Sequence, residues 1–285
     1  VGPLSPSMLR PSTAATAGTP PQSGGLPVNN GDGTFTKAAR IPVPAADVGG
    51  SGTAILEGRP VVDTDPDPTV TFYERLQVTA AGRPFAITDN AAVARRSVVD
   101  IAKCNDCHNT LSLHGANRTG NTELCSTCHN PNITCRTQVA GVFLDGTVDL
   151  KVMVHGLHAG TFNSCSHDYT DVVYPGQVNN CEGCHKSNTF YPVDGTKVFA
   201  TSIVAGDRSN PDDDIRVTPN LAVCSTCHTT TLAVAHMKQN GGSDTATQLR
   251  SGTPSTIETC ALCHGPGKES DLRDAHKIDQ FADMN

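Results

Sequence analysis

Ten of the twelve cysteines sit in one repeated pattern: a cysteine, two intervening residues, a second cysteine and then a histidine. It occurs as CNDCH at 104–108, CSTCH at 125–129, CEGCH at 181–185, CSTCH at 224–228 and CALCH at 260–264. Two thiols spaced this way lie on one helical turn and reach the two vinyl groups of a haem as thioethers. The histidine that follows points its imidazole at the iron as proximal ligand. The pattern predicts five haem c groups. Their attachment residues are Cys104 and Cys107, Cys125 and Cys128, Cys181 and Cys184, Cys224 and Cys227, and Cys260 and Cys263. The proximal ligands are His108, His129, His185, His228 and His264. Structural zinc is the competing chemistry, because C-x-x-C pairs also build zinc knuckles. Zinc does not require a histidine after every second cysteine, and an odd number of half-sites leaves one over.

Each iron needs a sixth ligand. Six histidines lie outside the motifs: His114, His155, His158, His167, His236 and His276. His155 and His158 stand at i and i+3 in KVMVHGLH and share a helix face. His114 follows the first motif, His236 the fourth and His276 the fifth. These five are the expected distal ligands. His167, in CSHDYTD, lies outside a helical stretch and is left out. Methionine competes as a ligand through Met153 and Met237, whereas Met8 and Met284 lie near the chain ends. Histidine on both faces closes the iron and gives it a lower potential than His/Met ligation. Such a centre passes electrons and does not bind substrate.

Cys135 and Cys165 remain, and in an exported protein they are expected to pair. A loop of about 30 residues closed in this way contributes roughly 3.5 kcal/mol on the chain-entropy model. The alternative is two free thiols. Aromatic residues make up 4% of the chain and tryptophan is absent, so the core lacks bulky side chains that five porphyrins would supply. The formal charge is −7, with no basic stripe to meet phosphate, which argues against a nucleic-acid partner. No apolar run approaches the 18 residues of a membrane span. The chain starts at Val1 without a signal-peptide pattern and reads as a processed, secreted protein at the cell surface or beyond it. Its first cysteine is Cys104, so no N-terminal cysteine carries a lipid.

Three regions are expected to position these groups. Residues 1–50, rich in Pro, Gly, Ser and Thr, read as an arm that packs on a neighbouring subunit. Residues 51–98 read as a small β-strand region, from the runs TAILEG, PVVDT, TVTFYERLQVT and RPFAIT. Within it Asp63, Asp65 and Asp67 offer alternate acids for calcium, or simply a solvated acidic turn. Residues 99–285 form the haem module. Asp89 is a candidate cap for a helix running into the first motif, and further helices are expected over 147–158, 220–228, 231–239 and 271–279. Asn220 and Asp271 are the candidate N-caps there, and Gly241 is a stop signal. The fold class is thus mostly irregular, with short α-helices packed around five c-type haems, preceded by a small β-rich N-terminal domain.

The stretches CNDCHNTLSLHGANRTGNTELCSTCHNPN, LKVMVHGLH, NNCEGCH, FYPVDGT, TPNLAVCSTCH, AHMKQNGG and ETCALCHGPG, with the lead-in TAILEGRPVVDTD, resemble the pentahaem module of OmcA/MtrC-type outer-surface multihaem cytochromes. The resemblance runs from about residue 51 to 276. It implies bis-histidine haems in a closely packed array. It also implies electron delivery to extracellular acceptors such as metal oxides or flavins, or to partner cytochromes. For the distal side it implies the same five residues: His114, His155, His158, His236 and His276. The family typically carries ten haems in two modules, each behind a complete β domain, and a lipid-anchor cysteine. This chain shows one module and a shortened β part, without that cysteine. The expected function is electron conduction, either in a homopolymeric filament or in a discrete or partner-bound cytochrome. A multihaem reductase for a small oxidised substrate is the alternative from another class, and a structural role for haem is a third.

Overall fold

A computed structural model of the chain describes residues 28–32, 34–36, 49–59, 61–63, 65–67, 69, 73–139, 142–193, 198–204, 214–245 and 257–284. Most of the arm expected over 1–50 lies outside them. Within it, β1 (Val28–Asn29) pairs antiparallel with β2 (Phe35–Thr36) across a turn in which the Asp32 carboxylate accepts from the Thr34 amide.

The strand region is a ribbon. β3 (Ser51–Leu56) pairs with β6 (Ala81–Ala86), Ser51 opposite Ala86 and Leu56 opposite Ala81. β4 (Val61–Asp63) and β5 (Tyr73–Arg75) pair inside that span, so one interrupted hairpin contains both ladders. Among the described residues every sheet has only two strands. The strands expected over 51–98 form as a ribbon among the described residues, and a two-stranded ladder has no second layer to bury a face. It docks on the module by polar contacts: Thr53 Oγ1 donates to Glu123 at 2.7 Å, and Asn121 Nδ2 to the Ala80 carbonyl at 2.9 Å. In the acidic turn, the Asp63 and Asp65 carboxylates accept from the backbone amides of Asp65 and Asp67. Among the described residues no group of three or more His, Cys, Asp or Glu converges on one metal position, here or elsewhere.

The helix expected from Asp89 does not form. Asp89 is held by Ser51 Oγ at 2.6 Å, and the same hydroxyl oxygen accepts from Val93 N. Helix α1 (Ile101–His108) begins at Asp100, which accepts from Ala102 N. The intervening β-branched Val98 and Val99 stay extended, and Val99 bridges to His185. β7 (Ser112–Leu113) and β8 (Arg118–Thr119) form a short hairpin, followed by α2 (Thr122–Cys128), capped by Asn121. β9 (Thr134–Val139) and β10 (Val142–Thr147) pair in strict register, Cys135 opposite Gly146. Helix α3 (Leu150–Ala159) starts three residues later than expected. β10 runs to Thr147, and Asp149 supplies the cap. The helix ends at Gly160 in the left-handed region (φ 64°).

β11 (Asn163–Ser164) and β12 (His167–Asp168) make a small hairpin, and β13 (Thr201–Val204) pairs with β14 (Ile215–Val217). α4 (Pro219–Cys224) is capped at Thr218, not Asn220, with Pro219 at its first position where a missing N–H costs nothing. α5 (Thr231–Gln239) occupies the expected span, and Gly241 follows it at φ 92°. α6 (Ala261–His264) and α7 (Leu272–Ala275, capped by Asp271) complete the helices. After α7 the chain breaks at Lys277 (φ 54°) and resumes as a 3-10 turn over Ile278–Met284, which shortens the helix expected to 279.

The described core is unusually polar. Thr201, Ser202, Asp214, Arg216, Thr218, Asp149 and Asn132 are buried, whereas its apolar members are few, and three of them are alanines. Polar pairs knit it together: Thr201 Oγ1 donates to Asp149 at 2.6 Å, and Arg216 Nη1 to Asn132 Oδ1 at 3.0 Å. A chain this poor in buried apolar side chains needs other apolar material to stabilise it.

Candidate functional site

Each cysteine pair sits in a helical turn. In α1, α2, α4 and α6, and in the 3-10 turn Cys181–Gly183, the motif histidine's amide donates to the carbonyl of the first cysteine or closes the same turn. That turn presents the thiols along one side and the imidazole just beyond. Opposite every motif histidine stands one histidine from elsewhere in the chain. His108 faces His158 with ring centroids 6.2 Å apart, His129 faces His114 at 6.0 Å, and His185 faces His155 at 5.9 Å. His228 faces His276 at 6.0 Å and His264 faces His236 at 6.1 Å. His167 pairs with Tyr169 at 6.0 Å, exposed on β12.

The spacing carries chemical information. Two imidazoles bound to one metal, each through a bond of about 2 Å, would hold their ring centres roughly 6.3 Å apart. Directly stacked rings approach more closely than edge-on rings do. Here the separation stays within 5.9–6.2 Å whether the planes lie 28° apart or 90° apart. A shared metal between the rings would impose such a gap; ordinary ring contacts such as His185–Phe190 at 5.9 Å reach it too, so the weight rests on one facing histidine recurring beside every motif. Only two protein ligands flank each gap, so a metal there must take its other ligands from a planar group. The paired thiols beside each gap are where such a group would be bonded. The donor set fits a haem and does not fit tetrahedral zinc.

On five of the ten facing rings the second ring nitrogen is engaged, whereas His185 Nδ1 is buried without a hydrogen-bond partner. His129 Nδ1 lies 2.9 Å from the Val148 carbonyl, His158 Nδ1 2.8 Å from Val154 O, His264 Nδ1 3.0 Å from Ser270 O and His276 Nδ1 2.9 Å from Leu272 O. His155 Nδ1 meets Lys151 O at 2.5 Å. An imidazole that donates from Nδ1 presents Nε2 as the free lone pair, the tautomer a metal ligand needs. Burial lowers the pKa of His155 and brings that of His185 to about 4, so these rings stay neutral. Burial also pushes the Cys104, Cys125, Cys181, Cys184 and Cys260 thiols up, and Cys224 to about 12. These surroundings disfavour a thiolate and accept an uncharged sulfur, which a thioether is.

The motifs neighbour one another: Cys104 lies near Cys125 and Cys184, Cys181 near Cys227, and Cys224 near Cys260 and Cys181. Backbone and side-chain bonds tie neighbours together. Asp100 N donates to Cys184 O at 2.9 Å, Arg273 Nη1 to Glu182 at 2.6 Å, and Asn179 Nδ2 to His276 O at 2.8 Å. Helix α3 is the hub, because His155 and His158 serve the third and first motifs. Tyr174 sits against His158, ring centroids 5.3 Å apart. Spacing in the sequence carries no signal for that contact. Away from these motifs, Cys135 and Cys165 are joined as a disulfide with Cα atoms 5.4 Å apart, linking β9 to the β11–β12 turn.

Short helices that hold paired thiols, with a row of facing imidazoles, define a multihaem cytochrome architecture. Residues 96–277 match the family described as outer membrane cytochrome MtrC/MtrF-like, domains II/IV, and the chain belongs to that family. Among solved structures it is similar to the outer membrane decahaem cytochrome OmcA, with 22% identity and a TM-score of 0.52 over 88% of this chain. It also aligns with MtrC from Shewanella baltica OS185, with 20% identity and a TM-score of 0.45 over 90% of this chain. The chain spans 38% of that OmcA chain and 33% of that MtrC chain. No curated protein matches it. Among the described residues no helix is long and apolar enough to cross a membrane.

Proposed function

We propose that the chain is a pentahaem electron conduit working outside the cell. The observation that carries this reading is the set of five facing histidine pairs, each beside a motif's two thiols and each with the same gap. Cys104, Cys107, Cys125, Cys128, Cys181, Cys184, Cys224, Cys227, Cys260 and Cys263 would hold the haems as thioethers. The paired histidines would fill both axial positions. A haem bound in this way supplies reversible uptake of one electron.

The chain's own groups do the rest. The Nδ1 contacts fix the ring planes and the ligating tautomer. With imidazole on both faces no position is left for substrate, which favours conduction over the reductase alternative. Helix α3 holds the first and third sites at a fixed separation, and the Arg273–Glu182 and Asn179–His276 contacts do the same for the third and fourth. Neighbouring motifs, the first beside the second and third, the third beside the fourth and the fourth beside the fifth, give electrons a path through the chain to extracellular acceptors or partner cytochromes, or to a further copy in a filament.

Electron paramagnetic resonance of the purified, oxidised protein tests the reading. Only low-spin signals are expected. A high-spin centre in the intact protein would overturn full bis-histidine closure and support a catalytic iron.

A further inference from the structure

Two charged side chains lie beside the row of sites with no opposite charge in bonding contact. Lys103 reaches from α1 to the third motif, where its Nζ donates to the Glu182 carbonyl at 2.6 Å and the His185 carbonyl at 2.8 Å. Both acceptors are backbone oxygens, so the ammonium charge is solvated and not cancelled. Glu258 lies between the fourth and fifth motifs, two residues before Cys260. Its Oε1 accepts from Thr218 Oγ1 at 2.7 Å and Leu221 N at 2.8 Å, and its Oε2 accepts from Asn220 N and Nδ2 at 2.8 Å. All are neutral donors at the start of α4, the helix that carries Cys224. Among the described residues no cation stands in ion-pair contact with Glu258. Elsewhere near the row Arg273 pairs with Glu182 and Asp279, and Arg118 with Glu57. Asp100 faces Cys104, and Arg96 adds positive field at His185.

Resting on the haem reading above, we propose that Lys103 and Glu258 build a step in redox potential between the third and fourth sites, with the third site the more easily reduced. A fixed positive charge stabilises the reduced, less positive state of a nearby iron, and a fixed carboxylate stabilises the oxidised state. Both side chains are half-buried, where charges interact more strongly than in water. Transfer across the step moves one electron, oxidising the fourth site and reducing the third, with no bond or proton changed. An electron on the fourth site therefore passes to the third, so across this step the fourth site gives electrons up. Lys103 and Glu258 act as tuning residues and are not ligands.

Optical redox titration of the full-length, haem-loaded protein tests this, with haem counted by intact mass in each variant. K103Q should move one component of the titration curve to lower potential, and E258Q should move a component to higher potential. The double variant should show both shifts, and K103R should keep the wild-type curve because it keeps the charge. An unchanged curve, a uniform shift of the whole curve, or a K103R curve that matches K103Q would overturn the inference. Fewer than five haems on the unsubstituted chain would instead overturn the reading on which it rests.

Discussion

Residues 155 and 158 show how spacing decides partners. At 100° per residue, side chains three apart on a helix project about 60° from one another. That is close enough to share a face and divergent enough to meet different neighbours. His155 accordingly faces His185, and His158 faces His108. Under the proposed ligation, His158→Ala should turn one of five low-spin centres into a high-spin one. His167→Ala should leave the spectrum unchanged, since that ring meets only Tyr169. Spin-state spectroscopy of the two variants checks this; a high-spin signal from the His167 variant would contradict the assignment. The repeated pattern made the motif side of each pair legible; helical spacing singled out His155 and His158, and position after a motif singled out His114, His236 and His276. Which one faces which motif was not legible, because His276, after the fifth motif, comes back against His228 of the fourth.

Elements hold these residues by their ends. Gly160 closes α3 at φ 64°, and a Cβ there would lie 2.8 Å from the Val172 carbonyl. Gly160→Ala should therefore lower stability by at least about 1 kcal/mol, seen as a reduced Tm, and disturb the first and third sites together. The β9–β10 hairpin is tied through Cys135 and Cys165. Replacing both cysteines with serine should cost about 3.5 kcal/mol on the entropy model, measured by denaturant unfolding, with the haem count unaltered.

The Arg273 contact between the third and fourth motifs gives a pH signature. Its hydrogen bond holds the Glu182 carboxyl below the usual glutamate range. A depressed carboxyl adds stability above its unfolded pKa of about 4.3, and that stability disappears as pH falls through the lower folded value. Thermal unfolding across acidic pH should thus show a steeper loss in the wild type than in Glu182→Gln; parallel curves would contradict it. The cap residues Asp100 and Asn121 were poorly legible at this scale. Asp89 looked as good as Asp100 until Ser51, distant in sequence, claimed it. The cap at α4 is completed by Glu258, from 40 residues beyond Thr218, and no local pattern announces that.

At the scale of the whole molecule, composition told most. A chain with 4% aromatics and no tryptophan cannot fill a large apolar interior alone, and the described core is indeed rich in buried polar groups. The strand region was legible as strands, because β-branched runs report a tendency to extend, and not as a number of layers. It forms a ribbon that leans on α2 through Thr53 and Asn121. The row of five sites, held by short elements and cross-motif hydrogen bonds, is the feature that organises everything else. Intact-mass measurement of the purified native protein tests it most directly. The account predicts the polypeptide mass plus five covalently bound haems, with ten thiols consumed. A bare polypeptide, or one carrying fewer than five, would contradict it.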